Sequence, residues 1–222
     1  MADMLSRSCS GDVIEDLRLK IVLQKYRQGD RLIELALAKE YGVSRGTLRS
    51  ALQALESEGM IETLPNGGKQ VVGFTRKYAM DMYNVRKTLE FMAIEEIMEM
   101  KTLNYAMMVD TLKLLEDHCH ASQMTRDGAC RLDTLFHRAV VSLSDNRTLI
   151  KTWDTLAPLN ETLLKLNSEA HYRSQYIEEF YDKHKAILDM ILLRDRKVLE
   201  FIDQHLEMAK DLTTNMLKQL GG

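Results

Sequence analysis

Apolar residues recur at helical intervals along almost the whole chain, and the interruptions divide it into two parts. In VIEDLRLKIVLQKY, Val13, Leu17 and Ile21 share a face with Ile14 beside them, which predicts an amphipathic helix. Gly29 in RQGDRL breaks it, and LIELALAKEY predicts a short second helix closed by Tyr41-Gly42. Ser44 is a good N-cap for a third helix, because its hydroxyl can accept from an orphan N–H of the first turn. That helix presents Leu48, Ala51, Leu52 and Leu55 as its apolar face, and Gly59 stands where a left-handed cap would end it. MIETL and QVVGF, both rich in strand formers, then flank Pro-Asn-Gly-Gly and predict a β-hairpin. Three helices followed by a hairpin make a winged helix-turn-helix.

From Lys77 onward there is no strand signal, and the 3.6-residue period predicts helices over 79–100, 103–121, 126–143, 146–165, 172–193 and 195–218. Breaks are expected near Thr102-Leu103, Asp127-Gly128, Ser144-Asp145-Asn146, Ser168 and Arg194-Asp195. The expected fold is mostly α, an N-terminal winged helix-turn-helix plus a C-terminal all-α helical bundle. Its parts are a tail at 1–10, a DNA-binding domain at 11–74, a linker at 75–79 and a helical domain at 80–218.

A net charge of −3 over 222 residues means that any nucleic-acid surface is local. The three cysteines, Cys9, Cys119 and Cys130, are odd in number and lack paired spacing, which points to a reducing compartment. No apolar run approaches the roughly 20 residues of a membrane span, and the first residues have no leader-like stretch. A soluble cytoplasmic protein is expected, with no membrane partner.

The third helix is polarised. Ser44, Arg45, Thr47, Arg49 and Ser50 crowd its start, whereas Glu56 and Glu58 lie more than two turns away. Arg45 and Arg49, four residues apart, share a face. The second helix of a helix-turn-helix enters the major groove by its N-terminal residues. There, unpaired N–H groups and the macrodipole also favour phosphate. The glycines of Asn66-Gly67-Gly68-Lys69 suit close approach to a nucleic-acid backbone, with Lys69 in reach of a phosphate.

The run GDRLIELALAKEYGVSRGTLRSALQALESEGMIETLPNGGKQVVG resembles the DNA-binding domain of the GntR family of bacterial transcription regulators. The resemblance rests on Gly29-Asp30-Arg31-Leu32, Leu37-Ala38, Gly42-Val43-Ser44-Arg45, Arg49, Ala51-Leu52, Leu55-Glu56 and Gly59. Gly46-Thr47 departs from the threonine-proline of many members, and Ser50 from their glutamate. The resemblance implies operator DNA as partner, with Arg31, Ser44, Arg45, Thr47, Arg49, Ser50, Gly67, Gly68 and Lys69 as the contacting set.

In the helical part, Asp133 and His137 are four apart and project from one face, while His184 and His205 sit among apolar residues of two further helices. One aspartate and three imidazoles converging in a bundle would suit a divalent transition metal. Spacing alone also fits a surface Asp–His pair and hydrogen-bonded core histidines. Arg86 has the shape to fork onto a carboxylate and the spacing to pair with Glu90. His118, Cys119 and His120 near Cys130 lack a recurrent ligand spacing. The methionines, Met80, Met82, Met92, Met98, Met100, Met107 and Met108 among them, read as core or dimer packing.

Asp133-x-x-Phe136-His137, Ser144-Asp145-Asn146-x-x-Leu149, Asp182-Lys183-His184-x-x-Ile187-Leu188 and His205-Leu206 resemble motifs of the FCD ligand-binding domain in the FadR-like branch of that family. Six helices match its shorter variant. The resemblance implies a metal, zinc or nickel, on Asp133, His137, His184 and His205, a small carboxylate effector, and Arg86 at that effector. The expected protein is a ligand-responsive repressor, not an enzyme, acting on palindromic operator DNA as a homodimer. Two other classes fit the residues: a metalloenzyme using the same cluster, and a DNA-binding protein whose metal is purely structural.

Overall fold

The computed structural model describes residues 10–120, 125–171 and 174–221. The expected tail lies outside them except for its last residue, as do the expected helix end at 121 and helix start at 172. The chain divides into two compact units, Met1–Arg76 together with Leu217–Gly222, and Lys77–Met216.

The first unit runs α1 (Ser10–Val22), β1 (Arg31–Leu32), α2 (Glu34–Glu40), α3 (Arg45–Ser57), β2 (Ile61–Thr63) and β3 (Lys69–Val71). Val13, Leu17 and Ile21 of α1 and Leu48, Leu52 and Leu55 of α3 are fully buried, so the apolar stripes read from the sequence are its core. Ser44 caps α3, its Oγ accepting from the Thr47 N–H at 3.1 Å. Gly59 stops it at φ +72°, a conformation that favours glycine. The hairpin forms with Ile61 opposite Val71 and Thr63 opposite Lys69. Its strands are shorter than the apolar runs suggested, and β1 adds to β3 with Arg31 opposite Gln70, giving the order β1-β3-β2. A two-residue strand carries no periodicity, which is why the pattern missed it. The acids at the far end of α3 are structural ties. Glu58 takes a bidentate pair from Arg18 of α1, both contacts at 2.7 Å, and Glu56 reaches the hairpin.

The second unit is helical: α4 (Arg76–Glu99), α5 (Ala106–His120), α6 (Arg126–Ser142), α7 (Arg147–His171), α8 (Ser174–Leu192) and α9 (Lys197–Gln219). Ile94, Ile97, Leu115, Phe136, Val140, Ile187, Ile191 and Ile202, from α4, α5, α6, α8 and α9, form one buried cluster. Trp153 of α7 packs with Leu89, Ala93, Val141 and Leu149 in another. Two boundaries correct the sequence reading. The segment 75–79 is helical from Arg76, so most of the expected linker is the first turn of α4. No break occurs at Ser168, since α7 continues to His171. Serine costs a helix only a few tenths of a kcal/mol, too little to end one. The expected turn at 144–146 is present. Asp145 has φ +53°, and the Asn146 Oδ1 caps α7 by accepting from the N–H groups of Thr148 and Leu149 at 3.1 and 3.2 Å. Among the described residues no helix is long and apolar enough to cross a membrane.

Candidate functional site

At the start of α3, Arg45 is exposed directly after the cap. Arg49 is also exposed, at 60 % of its side chain, and its Nε donates to Glu34 Oε2 of α2 at 2.8 Å. That contact orients the guanidinium without burying it. The Thr47 hydroxyl lies 2.8 Å from the Ser44 hydroxyl, and the exposed Ser50 hydroxyl donates to the Gly46 carbonyl at 3.2 Å. Arg31 is exposed on β1. In the hairpin turn Gly67 has φ +78°, and Asn66 Oδ1 accepts from the Gly68 N–H at 3.1 Å. Lys69 corrects its expectation. It does not extend from the turn; it donates to Glu56 Oε2 at 2.6 Å and to the Thr63 hydroxyl, with only 14 % of its side chain exposed. Sequence reasoning counted its charge and missed that an acid in the last turn of α3, Glu56, faces the same strand.

In the second unit the four expected metal ligands come together. Asp133 and His137 lie on α6, His184 on α8 and His205 on α9, and one donor atom from each falls within 4.8 Å of the others. Asp133, His137 and His184 are almost fully buried, and His205 is half-buried. The rings pack closely, His137 stacking on His205 with centroids 5.2 Å apart and meeting His184 edge-on at 5.4 Å.

Hydrogen bonds behind the cluster decide which nitrogens face inward. The Phe180 carbonyl can only accept, so the His184 Nδ1, 2.6 Å from it, carries the proton. The lone pair on His184 Nε2 then points at Asp133 Oδ1, 3.0 Å away. Two electron-rich atoms at that distance need a cation between them or a proton shared by them. His137 Nδ1 is 2.8 Å from Glu90 Oε2, which leaves His137 Nε2 buried without a partner. Asp133 Oδ2 is a second buried orphan. Orphan acceptors on two of four clustered residues, with a carboxylate and a carbonyl that fix the imidazole tautomers, fit a transition-metal centre.

Charge states agree with that use. Burial pushes the Asp133 carboxyl up, but His137, the close contact with His184 and Arg86 outweigh it and hold it well below the usual carboxylate range. Burial likewise raises Glu90, and His137 and Arg86 together bring it below its ordinary value. Burial and the neighbouring imidazoles push His205 well below the ordinary histidine value, and burial lowers His137 against the pull of Glu90. Asp133 is thus held toward the carboxylate, and His137 and His205 toward neutral imidazole, the forms that ligate.

Arg86 makes the pair with Glu90 that its four-residue spacing allowed. Its Nε donates to Glu90 Oε1 at 2.8 Å and its Nη1 to Asn160 Oδ1 at 2.6 Å, while the Trp153 ring lies 5.3 Å from the guanidinium carbon. Nη2 has no partner. Arg86 also lines a cavity of about 40 Å³ with Asp133, His205, Asn167, Phe180 and Lys183. The cavity therefore joins two candidate ligands to a guanidinium with an unused donor. Glu90 and Asn160, which hold Arg86, carried no sequence signal beyond the four-residue spacing of Glu90. The side chains of Cys119 and His120 lie outside the described residues.

Residues 10–71 match the family model "Bacterial regulatory proteins, gntR family", and residues 81–208 match the FCD domain. The gluconate operon transcriptional repressor of Bacillus subtilis (strain 168) is 28% identical over 223 residues, which cover 95% of this chain and 87% of that protein. The Exu regulon transcriptional regulator of Escherichia coli (strain K12) is 27% identical over 217 residues, covering 90% and 82%. A solved GntR regulator from Rhodococcus sp. RHA1 aligns with a TM-score of 0.64 at 20% identity over 92% of this chain and 96% of that one, which supports the fold. Both relatives are regulators, not enzymes. The chain belongs to the gntR family of bacterial regulatory proteins, carries an FCD domain, and is a DNA-binding regulator of transcription.

Proposed function

We propose that this regulator is a cytoplasmic repressor that binds palindromic operator DNA as a homodimer and leaves it when a small carboxylate occupies the helical unit. Residues 11–74 read the operator through the start of α3, with Arg31, Ser44, Arg45, Thr47, Arg49 and Ser50 at the surface and Gly67-Gly68 allowing close approach. The tie to Glu56 gives Lys69 a bracing role in place of a phosphate contact. Residues 80–218 carry the effector site and the dimer contacts.

Asp133, His137, His184 and His205 would hold zinc or nickel. The metal would supply Lewis acidity toward a carboxylate oxygen. Arg86 would take the second oxygen with Nη2, the donor that the protein leaves unused. The observation that carries this reading is the convergence of four residues' donor atoms, with two buried acceptors of Asp133 and His137 left orphaned, beside that guanidinium. The name of one relative makes gluconate the first acid to try. A preference for the DNA-competent form of about 1 to 3 kcal/mol, removed by the effector, would change operator occupancy appreciably.

The test is elemental analysis of wild-type protein beside a His137→Ala, His184→Ala variant. About one metal per chain in the first and none in the second is expected. A metal-free wild type, after refilling with zinc and nickel, would reduce the cluster to core histidines. DNA binding through α3 would stand regardless.

A further inference from the structure

We infer that Glu90 is a positioning residue of the metal centre, whose single carboxylate fixes His137 as an Nε2 donor while locking the guanidinium that faces the cavity. The inference rests on the proposed metal site. Glu90 is fully buried and has a distinct oxygen for each neighbour: Oε1 takes the Arg86 Nε–H at 2.8 Å, and Oε2 takes the His137 Nδ1–H at 2.8 Å. Both neighbours are donors, so only a group with two acceptors satisfies them. A buried acid serves no purpose in a core by itself, and its desolvation is unfavourable unless both oxygens are paired. Pairing with Arg86 alone would have met the charge balance. The second bond determines which His137 nitrogen carries the proton, and hence which lone pair enters the cluster.

The other partners of Arg86 continue the same framework. Its Nη1 donates to Asn160 Oδ1 at 2.6 Å, Asn160 Nδ2 donates to the Thr134 hydroxyl at 3.2 Å, and that hydroxyl donates to the Cys130 carbonyl at 3.1 Å. Thr134 is next to Asp133 on α6. The chain of bonds thus begins beside one candidate ligand and ends on another, and Glu90 is the link that touches the imidazole. Glu90→Gln tests this sharply. An amide offers one acceptor, so either Arg86 or His137 must face an NH₂ group.

The experiment is zinc titration of full-length wild type and Glu90→Gln against a chromophoric chelator, with the thermal midpoint of each metal-free protein recorded beside it. Zinc affinity is expected to fall about 10- to 100-fold in the variant. Because the variant could lose its fold, side-chain ¹⁵N NMR of metal-free wild type gives a second reading. His137 should carry its proton on Nδ1 and none on Nε2. A proton on Nε2, or a folded Glu90→Gln protein that binds zinc as tightly as wild type, overturns the inference alone. Wild type that takes up no zinc overturns the metal centre and this inference with it.

Discussion

The two units of this regulator place their charges in opposite environments. On the first, Arg31, Arg45 and Arg49 stand in solvent at the sheet and the start of α3. In the second, Arg86, Glu90, Asp133, His137 and His184 are at most 1% exposed. An exposed arginine needs no partner from its own protein, and its attraction to a polyanion is long-ranged and weakened by salt. Buried charges are costly to strip of water, so they must be paired within the fold or completed by a ligand. The first arrangement suits a partner that arrives and leaves; the second suits a centre held in place. The acids sharpen the contrast. Glu58 in the first unit spends its charge on bracing a scaffold, whereas Glu90 in the second sets the proton on an imidazole.

Salt should separate the two units most widely. A homodimer would present Arg31, Arg45 and Arg49 twice. At that order of phosphate contacts, operator affinity should fall about a thousandfold between roughly 50 and 200 mM salt. Fluorescence anisotropy with labelled operator reads the slope, and metal content after dialysis across the same range should not change. A flat binding curve, or metal lost with rising salt, would break the distinction.

Within the first unit, charge that braces should part from charge that recognises. Glu58→Ala leaves Arg18, whose side chain is 6 % exposed, without its bidentate partner, and should destabilise the unit by about 3 kcal/mol. A lower urea midpoint by circular dichroism would show it. Arg45→Ala touches no such pair. It should leave that midpoint in place and weaken operator binding about 10- to 100-fold, the range for losing one good base contact. Unchanged operator affinity in Arg45→Ala would remove α3 from the DNA.

What the sequence disclosed follows the range of the forces involved. Ser44, Gly59 and the Asn66-Gly67 turn were legible because caps and turns depend on neighbouring residues. The apolar stripes of α1 and α3 were legible because burial imposes the helical period. The continuation of α7 past Ser168 was not, since a weak local signal was overridden by the rest of its helix. Lys69 was misread because Glu56, which holds it, is thirteen residues away in sequence. The four candidate ligands were found by motif. Glu90 was not found as support for His137, because that contact joins residues 47 apart and only the packing of α4 against α6 creates it. Charge on a solvent face can be read one residue at a time; charge in a core has meaning only with its partner.

Ser44 is where bracing and recognition coincide, and there the expected effects are smallest and most discriminating. Its Oγ accepts from the Thr47 N–H at 3.1 Å, so Ser44→Ala should cost α3 about 1 kcal/mol. Weaker DNA binding in that variant could come from the lost cap or from a lost phosphate contact. Ser44→Asp separates these causes. A carboxylate caps a helix as well as a hydroxyl does, and the macrodipole favours it at that position. The urea midpoint should therefore match or exceed that of wild type. The same negative charge beside Arg45 would repel a phosphate and partly neutralise the arginine, so operator affinity should fall further in Ser44→Asp than in Ser44→Ala. Opposite orders of the two variants in stability and in binding would place the start of α3 against DNA. If both measurements ranked the variants alike, Ser44 would be a brace and nothing more, and the recognising surface would reduce to the exposed arginines.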